Sequence, residues 1–192
     1  MKSLTILLDD LKHSDYKAKI IENSIGKTFG VETRFEEPRV NLGWGYQDNV
    51  NEAVLDKLCD YNKPVFLITD KPIISIDFLF EYDFRAGQVH SESAAGFEST
   101  FPFDNPEDIG IITQVALHET GHLMGLGHHE KKAGKKYCLM KQNEWENFYD
   151  YIDNVSSRLC KGCKKQLGLY ESPVKKILDK STRFYKLVLN HA

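Results

Sequence analysis

Four of the chain's seven histidines lie in one short stretch, HETGHLMGLGHH, residues 118–129. His118 and His122 are four residues apart, so on a helix their rings lie one turn apart on the same face and can bind one ion. Gly125 lets the chain leave that helix in a left-handed turn. His128 can then return as a third ligand. Three imidazoles leave zinc one open position, which is typical of a catalytic site rather than a structural one.

Glu119 directly follows the first of these histidines. Its carboxylate can reach a water on the ion without being a ligand, and it can act as general base and then deliver the proton to a leaving amine. Chance occurrence of HExxH is the alternative, and the extension HExxHxxGxxH makes it much weaker. Glycine inside a helix costs about 1 kcal/mol relative to alanine, and the sequence gives no reason for a glycine at position 121.

Hydrophobic periodicity predicts the elements that position these residues. Strand-like and helix-like segments alternate along the first third of the chain. The alternation predicts an α/β fold of the mixed α+β type, with a mainly parallel twisted sheet and crossover helices. In chain order, the segments are a strand at Ser3–Leu8, a helix at Asp15–Phe29, a strand at Val31–Glu36, a helix at Asn49–Tyr61 and a strand at Pro64–Thr69.

The middle of the chain predicts extra strands followed by the active-site helix. Ile73–Phe84 is apolar and aromatic, and Gly87–Glu92 can pair back against it at the sheet margin. Phe97–Asn105 is interpreted as a solvated loop that can border a cleft. The sequence Asn-Pro-Glu-Asp at 105–108 is a strong helix start, so the histidine helix is expected to span Pro106–Met124.

The C-terminal part is expected to be a small helical subdomain. Glu144–Leu159 has weak helical patterning, and Cys160–Leu167 predicts a further short helix. Val174–Leu189 is amphipathic and predicts a last helix.

Composition narrows the class of protein. The 192 residues are 41% apolar, with 25 basic and 28 acidic side chains and a net charge of −3. This composition suits one globular domain and argues against nucleic acid as a partner. No apolar run is long enough to span a membrane, and the short apolar segment near the N-terminus does not match a signal peptide. We therefore expect a cytoplasmic protein, with the cysteines reduced.

The HExxHxxGxxH pattern resembles the signature of the metzincin metallopeptidases, and within that clan the chain is most similar to the archaemetzincins. Cys138-Leu139-Met140 and Cys160-Lys161-Gly162-Cys163 match the C-x-M and CxxC that follow in that family. Two departures are visible. His129 stands where the family usually has cysteine, and eight residues separate it from Cys138 where four are usual. This insertion, EKKAGKKY, predicts a surface loop.

The resemblance implies one metzincin-like catalytic domain over residues 1–192. Residues 1–127 would form the sheet and active-site helix, and residues 128–192 the C-terminal subdomain. Met140 would be the methionine of the Met-turn beneath the zinc ligands, the alternative being an ordinary core methionine. The segment Phe78–Ser93 would contain an edge strand that binds an extended peptide.

A second metal site is predicted from the remaining residues of the motif. Cys160 and Cys163 alone could be a redox pair, half of a zinc site or idle thiols, and no thioredoxin-like unit supports the redox reading. Together with Cys138 and His129 they form a Cys3His set, which suits a structural zinc. The alternative for His129 is a residue near the metal that does not bind it.

The leading hypothesis is therefore zinc-dependent peptide hydrolysis, with two zinc ions per chain. A zinc hydrolase of small amides and a peptide-binding module with little turnover are the alternatives. The presence of Glu119 argues against the binding module, because binding alone needs no base. The expected partner is a peptide or small protein, and a monomer is expected, with neither nucleic acid nor membrane bound.

Overall fold

The protein is described by a computed structural model for residues 1–9, 16–38, 51–61, 63–71, 74–76, 82–84, 87–90, 95–99, 108–142 and 148–169. Short strands and helices alternate through these residues. In chain order the elements are β1 (Ser3–Asp9), α1 (Tyr16–Phe29), β2 (Glu32–Glu36), α2 (Asn51–Cys59), β3 (Val65–Thr69), β4 (Ile74–Ile76), β5 (Tyr82–Phe84), β6 (Gly87–His90), β7 (Ala95–Ser99), α3 (Ile109–Leu123), β8 (Lys132–Ala133), β9 (Lys136–Tyr137), α4 (Phe148–Asn154) and α5 (Lys161–Gln166).

Among the described residues the main sheet has five strands, in the order β2-β1-β3-β7-β6. The first four are parallel and β6 is antiparallel to β7, so the predicted mixed, mainly parallel sheet is confirmed. Side chains alternate between the two faces. Leu4, Ile6 and Leu8 pack with α1 and α3 on one face, whereas Leu7 packs with α2 on the other. Gly30 follows α1 with a φ of 66°, a left-handed conformation that favours glycine at the end of a helix.

Both segments predicted as extra strands contain strands, but their described residues do not pair with each other as predicted. β4 pairs with β5 in a separate two-stranded sheet, and β6 pairs with β7. β7 occupies the start of the segment interpreted as a loop at Phe97–Asn105. Its sequence AGFES is rich in small and polar residues, which are poor strand formers. A Cβ on Gly96 would lie 2.7 Å from Cγ2 of Val89, so the close approach of β6 requires glycine there.

The active-site helix α3 is buried along most of its length and packs between α1 and the β6–β7 edge of the sheet. Asp108 is its N-cap residue and Met124 its C-cap residue. The C-terminal boundary matches the predicted end at Met124. The predicted start at residues 105–107 lies outside the described residues.

The described C-terminal residues are less helical than expected. α4 spans Phe148–Asn154, whereas a helix was predicted as far as Leu159, and Val155 forms a bridge to Tyr137. The EKKAGKKY insertion is exposed as expected, but it forms the β8–β9 hairpin, with Gly134 at its turn at a φ of 84°. α5 matches the predicted short helix.

The N- and C-terminal parts share one apolar core. Leu139, Met140 and Cys163 pack in the same cluster as Leu4 of β1 and Ile25 of α1. The helix predicted at Val174–Leu189 lies outside the described residues. The division of the chain at residue 127 stays a prediction. No helix in the described ranges is long and apolar enough to cross a membrane.

Candidate metal centres

The three predicted histidines meet at the C-terminal end of α3. The Nε2 atoms of His118 and His122 are 3.1 Å apart, and that of His128 lies 3.1 and 3.0 Å from them. Nitrogen ligands of a tetrahedral zinc, about 2.0–2.1 Å from the metal, lie about 3.3 Å from one another. The spacing of the three nitrogens therefore fits one zinc ion.

Two of the three rings have their tautomer fixed by the backbone. Nδ1 of His118 donates to the carbonyl of Leu139 at 2.8 Å, and Nδ1 of His122 donates to the carbonyl of Leu126 at 2.9 Å. A neutral ring that donates through Nδ1 has its lone pair on Nε2. Two unprotonated nitrogens thus face each other at 3.1 Å. A cation between them would satisfy both lone pairs.

The three rings are also held in the neutral form that binds metal. Burial lowers the pKa of His118 to about 4, against the opposing effect of its hydrogen bond to Leu139. Burial likewise lowers the pKa of His122 and of His128. At neutral pH no proton competes strongly with a metal for these nitrogens.

The end of α3 turns the chain back toward its own histidines. Gly125 has a φ of 81°, its N–H donates to the carbonyl of His122 at 2.8 Å, and the N–H of Leu126 donates to the carbonyl of Gly121 at 2.9 Å. This is a Schellman motif, which needs a residue in the left-handed conformation. The left-handed exit predicted at Gly125 is confirmed, and it directs His128 into the triangle.

A tight turn lies beneath the histidines. The N–H of Lys141 donates to the carbonyl of Cys138 at 2.9 Å, and Met140 within this turn is fully buried. Its thioether packs against Gly121. A Cβ at Gly121 would overlap the Met140 sulfur and lie 3.1 Å from its Cε. This contact explains the helix glycine that the sequence left without a reason.

Gly121→Ala is therefore expected to destabilise the protein. Inserting a methyl group into a packed contact costs about 1–3 kcal/mol, which exceeds the helix propensity gained. Gly110→Ala is the matched control, because a Cβ there has no neighbour within 4 Å. Urea unfolding of the two variants measures the difference. A Gly121→Ala variant at least as stable as Gly110→Ala would show that Met140 does not fill this space.

Glu119, the predicted general base, lies half-buried on α3 beside His118. Burial and the charge of Glu119 both raise the pKa of Tyr151, so the carboxylate and that phenol lie near each other. The role of Glu119 as base stays a prediction.

Tyr151 is a site residue that sequence reasoning missed. Its hydroxyl lies 3.2 Å from Nδ1 of His118 and donates to the carbonyl of Leu139 at 3.4 Å. It is almost fully buried behind the ring. No local motif marks it, because it reaches His118 from α4, 33 residues further along the chain.

Tyr151→Phe is expected to weaken zinc binding at the histidine triangle. Partners behind metal-binding histidines contribute about 10–100-fold to metal affinity, and we expect about tenfold here because the Leu139 hydrogen bond remains. Competition with a chelating dye measures the zinc affinity. Tyr61→Phe, on the opposite face of the sheet, is the control. Equal affinities in the two variants would show that Tyr151 only fills space.

The structure also brings together the four residues predicted for the second site. Sγ of Cys163 lies 3.9 Å from Sγ of Cys138, 3.7 Å from Sγ of Cys160 and 3.0 Å from Nε2 of His129. The four ligand atoms all lie within 4.8 Å of one another. Thiolates at about 2.3 Å from a tetrahedral zinc lie about 3.8 Å apart. The cluster therefore has the dimensions of a closed zinc site.

Ionising three adjacent thiols is electrostatically unfavourable without a cation. Burial raises the pKa of Cys138, and burial together with the charge of Cys138 raises the pKa of Cys163. Burial alone would raise the pKa of Cys160, but the hydrogen bonds that its sulfur accepts outweigh burial, and the pKa is lowered. All three thiols are free of disulfides. A bound divalent ion would ionise the thiols and offset their mutual repulsion.

His129 fits this site less well than the three cysteines do. Its Nδ1 accepts a hydrogen bond from the backbone N–H of Lys131 at 3.1 Å. In that arrangement the proton of the neutral ring lies on Nε2, facing Cys163. Binding metal through Nε2 requires the proton to move to Nδ1 and the hydrogen bond to Lys131 to break. The thiols are the stronger part of the ligand set.

The two clusters share one piece of backbone. The N–H of His129 donates to the carbonyl of Met140 at 3.0 Å, and the N–H of Leu139 donates to the carbonyl of Arg158 at 3.1 Å. Leu139 is also the residue whose carbonyl fixes the His118 ring. Displacement of the turn around Cys138 would therefore disturb both clusters.

The sequence and the fold of the chain were compared with those of known proteins. No protein-family model matches the chain. The archaemetzincin of Nanoarchaeum equitans (strain Kin4-M) is 28% identical over a match that covers 57% of this chain and 56% of that protein. The chain thus matches little more than half the length of this curated relative.

Three solved structures share the fold over most of the chain. Archaemetzincin from Methanopyrus kandleri superposes with a TM-score of 0.65 at 17% identity, covering 87% of this chain and 93% of that one. Archaemetzincin from Archaeoglobus fulgidus, complexed with malonate, gives 0.63 at 19% identity, with coverages of 85% and 99%. The chain has the archaemetzincin fold. A zinc-dependent peptidase from Methanocorpusculum labreanum gives 0.64 at 18% identity, with coverages of 85% and 99%.

The likeness to archaemetzincins that the motif indicated is confirmed by these comparisons, and so is the mixed α/β fold class. The identities to the solved structures are low, and those structures support the fold alone. The assignment of individual residues to metal binding rests on the distances within this chain.

Proposed function

We propose that this chain with the archaemetzincin fold is a zinc-dependent peptidase whose catalytic zinc binds His118, His122 and His128. One observation carries the proposal. Three imidazole Nε2 atoms converge at 3.0–3.1 Å, and in two of the rings Nδ1 donates to a backbone carbonyl. Such a set binds a cation and leaves one coordination position open. The structural neighbour from Methanocorpusculum labreanum, a zinc-dependent peptidase, is consistent with it.

The chemistry divides between the metal and one side chain. When bound, zinc supplies a Lewis acid that lowers the pKa of water and polarises a carbonyl. Glu119 holds a carboxylate beside His118, takes the proton of the attacking water and passes it to the nitrogen of the leaving amine. His118 and His122 would hold the zinc through their Nε2 lone pairs, because the carbonyls of Leu139 and Leu126 accept their Nδ1 protons.

A second, structural zinc is part of the proposal, which gives two zinc ions per chain. Cys138, Cys160 and Cys163 would bind it, with His129 as the fourth ligand. Met140 would be the Met-turn methionine, and the support for this is its packing against Gly121 between two zinc-binding histidines. In this role Met140 provides an apolar floor and does not bind the metal.

The proposed substrate is a peptide or a small protein. β6 is the edge strand of the main sheet and is antiparallel to its neighbour β7. An edge strand can bind an extended peptide by strand addition, with backbone hydrogen bonds supplying affinity. The proposed working form is a cytoplasmic monomer.

The alternatives differ in substrate and in turnover. A zinc hydrolase of small amides would use the same three histidines and the same base. A peptide-binding module would bind peptide without cleaving it. The half-buried Glu119 beside His118 favours turnover, because binding alone has no use for a base at this position.

The test is zinc-dependent cleavage of a diverse peptide mixture, read by mass spectrometry. We expect the zinc-loaded wild type to cleave some peptides, the chelated protein to cleave none, and added zinc to restore cleavage. His122→Ala should lose one zinc ion and reduce turnover at least a hundredfold, because two nitrogens hold zinc poorly. Cleavage of small amides but of no peptide would favour the amide hydrolase. Peptide binding without cleavage would favour the binding module.

A further inference from the structure

An open cavity of about 420 Å³ lies beside the second cluster, on the surface of the C-terminal part. Among the described residues three separate segments line it, namely the start of the β8–β9 hairpin, the non-helical residues before α5, and α5 itself. Cys160, one of the proposed zinc ligands, forms part of its wall. The cavity is therefore built by the same packing that assembles the four-residue cluster.

The lining of this cavity is strongly basic. Among the described residues that line it none is acidic, although acidic residues outnumber basic ones in the chain by 28 to 25. Lys132 has its Nζ 5.6 Å from the centre of the Tyr137 ring. Within the described ranges none of the lining cations forms an ion pair. The five cations are Lys131, Lys132, Arg158, Lys161 and Lys164.

The thiolates of the second site do not account for this charge. Zinc bound by three thiolates and a neutral histidine carries a net charge of −1. Five cations around one concave surface leave a clear positive excess. A cleft lined by one sign of charge concentrates ions of the opposite sign.

The size of the cavity indicates a compact ligand. Small-molecule sites usually have volumes of about 300–1,000 Å³, and this one is within that range. Lysine and arginine are the usual partners of phosphate oxygens, and the arginine can bind two oxygens at once. A nucleic acid backbone would instead need a basic stripe extending along the surface. We propose that this cavity is a binding site for a compact oligophosphate group, distinct from the histidine triangle.

The insertion EKKAGKKY contributes directly to this site. Lys131 and Lys132 belong to it, and its hairpin forms one wall of the cavity. Lys135 lies in the same hairpin and Lys165 in the same helix α5, but neither lines the cavity. These two lysines provide a control with the same charge and the same surroundings.

The experiment is calorimetric titration of the zinc-loaded full chain with tripolyphosphate, with magnesium in excess so that the probe does not remove zinc. We expect one site per chain. The double variant in the cavity, Lys161→Glu with Lys164→Glu, should weaken binding at least tenfold. The control double variant, Lys135→Glu with Lys165→Glu, should weaken binding less than twofold. Both double variants change net charge equally. Zinc content is measured after each titration. If the first variant does not fold, Lys161→Gln with Lys164→Gln replaces it and is compared with Lys135→Gln and Lys165→Gln, so that the charge change stays equal.

Three results would overturn the proposal. Equal weakening in the two double variants would mean general attraction to a charged surface. Absence of binding by the wild type at millimolar tripolyphosphate would mean that the cavity is not a phosphate site. Tighter binding of a short DNA duplex, lost in the Lys161 and Lys164 variant, would identify a nucleic acid surface instead.

Discussion

Glu119→Gln is expected to retain every bound zinc ion and to reduce kcat/KM for any cleaved peptide at least a hundredfold. The amide is nearly the same size as the carboxylate, so the fold and the histidine triangle should not change. It cannot accept the proton of the attacking water, and general-base assistance contributes about a hundredfold or more. Glu32→Gln, on the exposed edge strand β2, makes the same charge change away from the site and should have normal activity.

The measurement combines zinc content per chain with steady-state kinetics on both variants. Turnover by Glu119→Gln within a few fold of the wild type would show that another group activates the water. Loss of zinc together with activity would show that Glu119 helps to hold the metal, contrary to the role proposed here.

Cys163→Ser is expected to lose one zinc ion and to lower the melting temperature by roughly 10 °C. Metal binding adds its free energy to folding, and the loss of about 3 kcal/mol or more corresponds to such a shift in a chain of this size. Sγ of Cys163 lies within 3.9 Å of each of the three other ligand atoms, so its removal opens the cluster. Activity should also fall, because the Leu139 carbonyl that orients His118 lies in the same turn as Cys138.

Calorimetry, zinc content and limited proteolysis measure this prediction, with cuts expected within residues 141–169. Cys59→Ser is the matched control, because Cys59 packs at the margin of the core on the other face of the sheet. Two zinc ions in Cys163→Ser with an unchanged proteolytic pattern would refute the structural zinc. His129→Ala should have a milder effect than Cys163→Ser, because the Lys131 N–H already occupies its Nδ1.

The histidine triangle could be predicted because its geometry is local. Spacing of four residues places His118 and His122 on one helix face, and Gly125 in the left-handed conformation reverses the chain toward His128. The grouping of the cysteines with His129 came from the resemblance to a known family.

What the sequence did not predict depends on contacts between distant residues. The reason for Gly121 is Met140, which approaches from a later turn. Tyr151 supports His118 from another helix. β7 was missed because its small and polar residues do not give a strand-like pattern, and it forms a strand by pairing with β3 on one side and β6 on the other. Local periodicity has no information about such partners.

The most direct test of the proposed catalytic zinc is X-ray diffraction at the zinc absorption edge from crystals of zinc-loaded protein. We expect an anomalous peak bonded to Nε2 of His118, His122 and His128 at about 2.0–2.1 Å, with a fourth position open to solvent. A second peak is expected among Cys138, Cys160 and Cys163. Absence of a peak among the three histidines, or a protein side chain completing a closed tetrahedron there, would contradict the account.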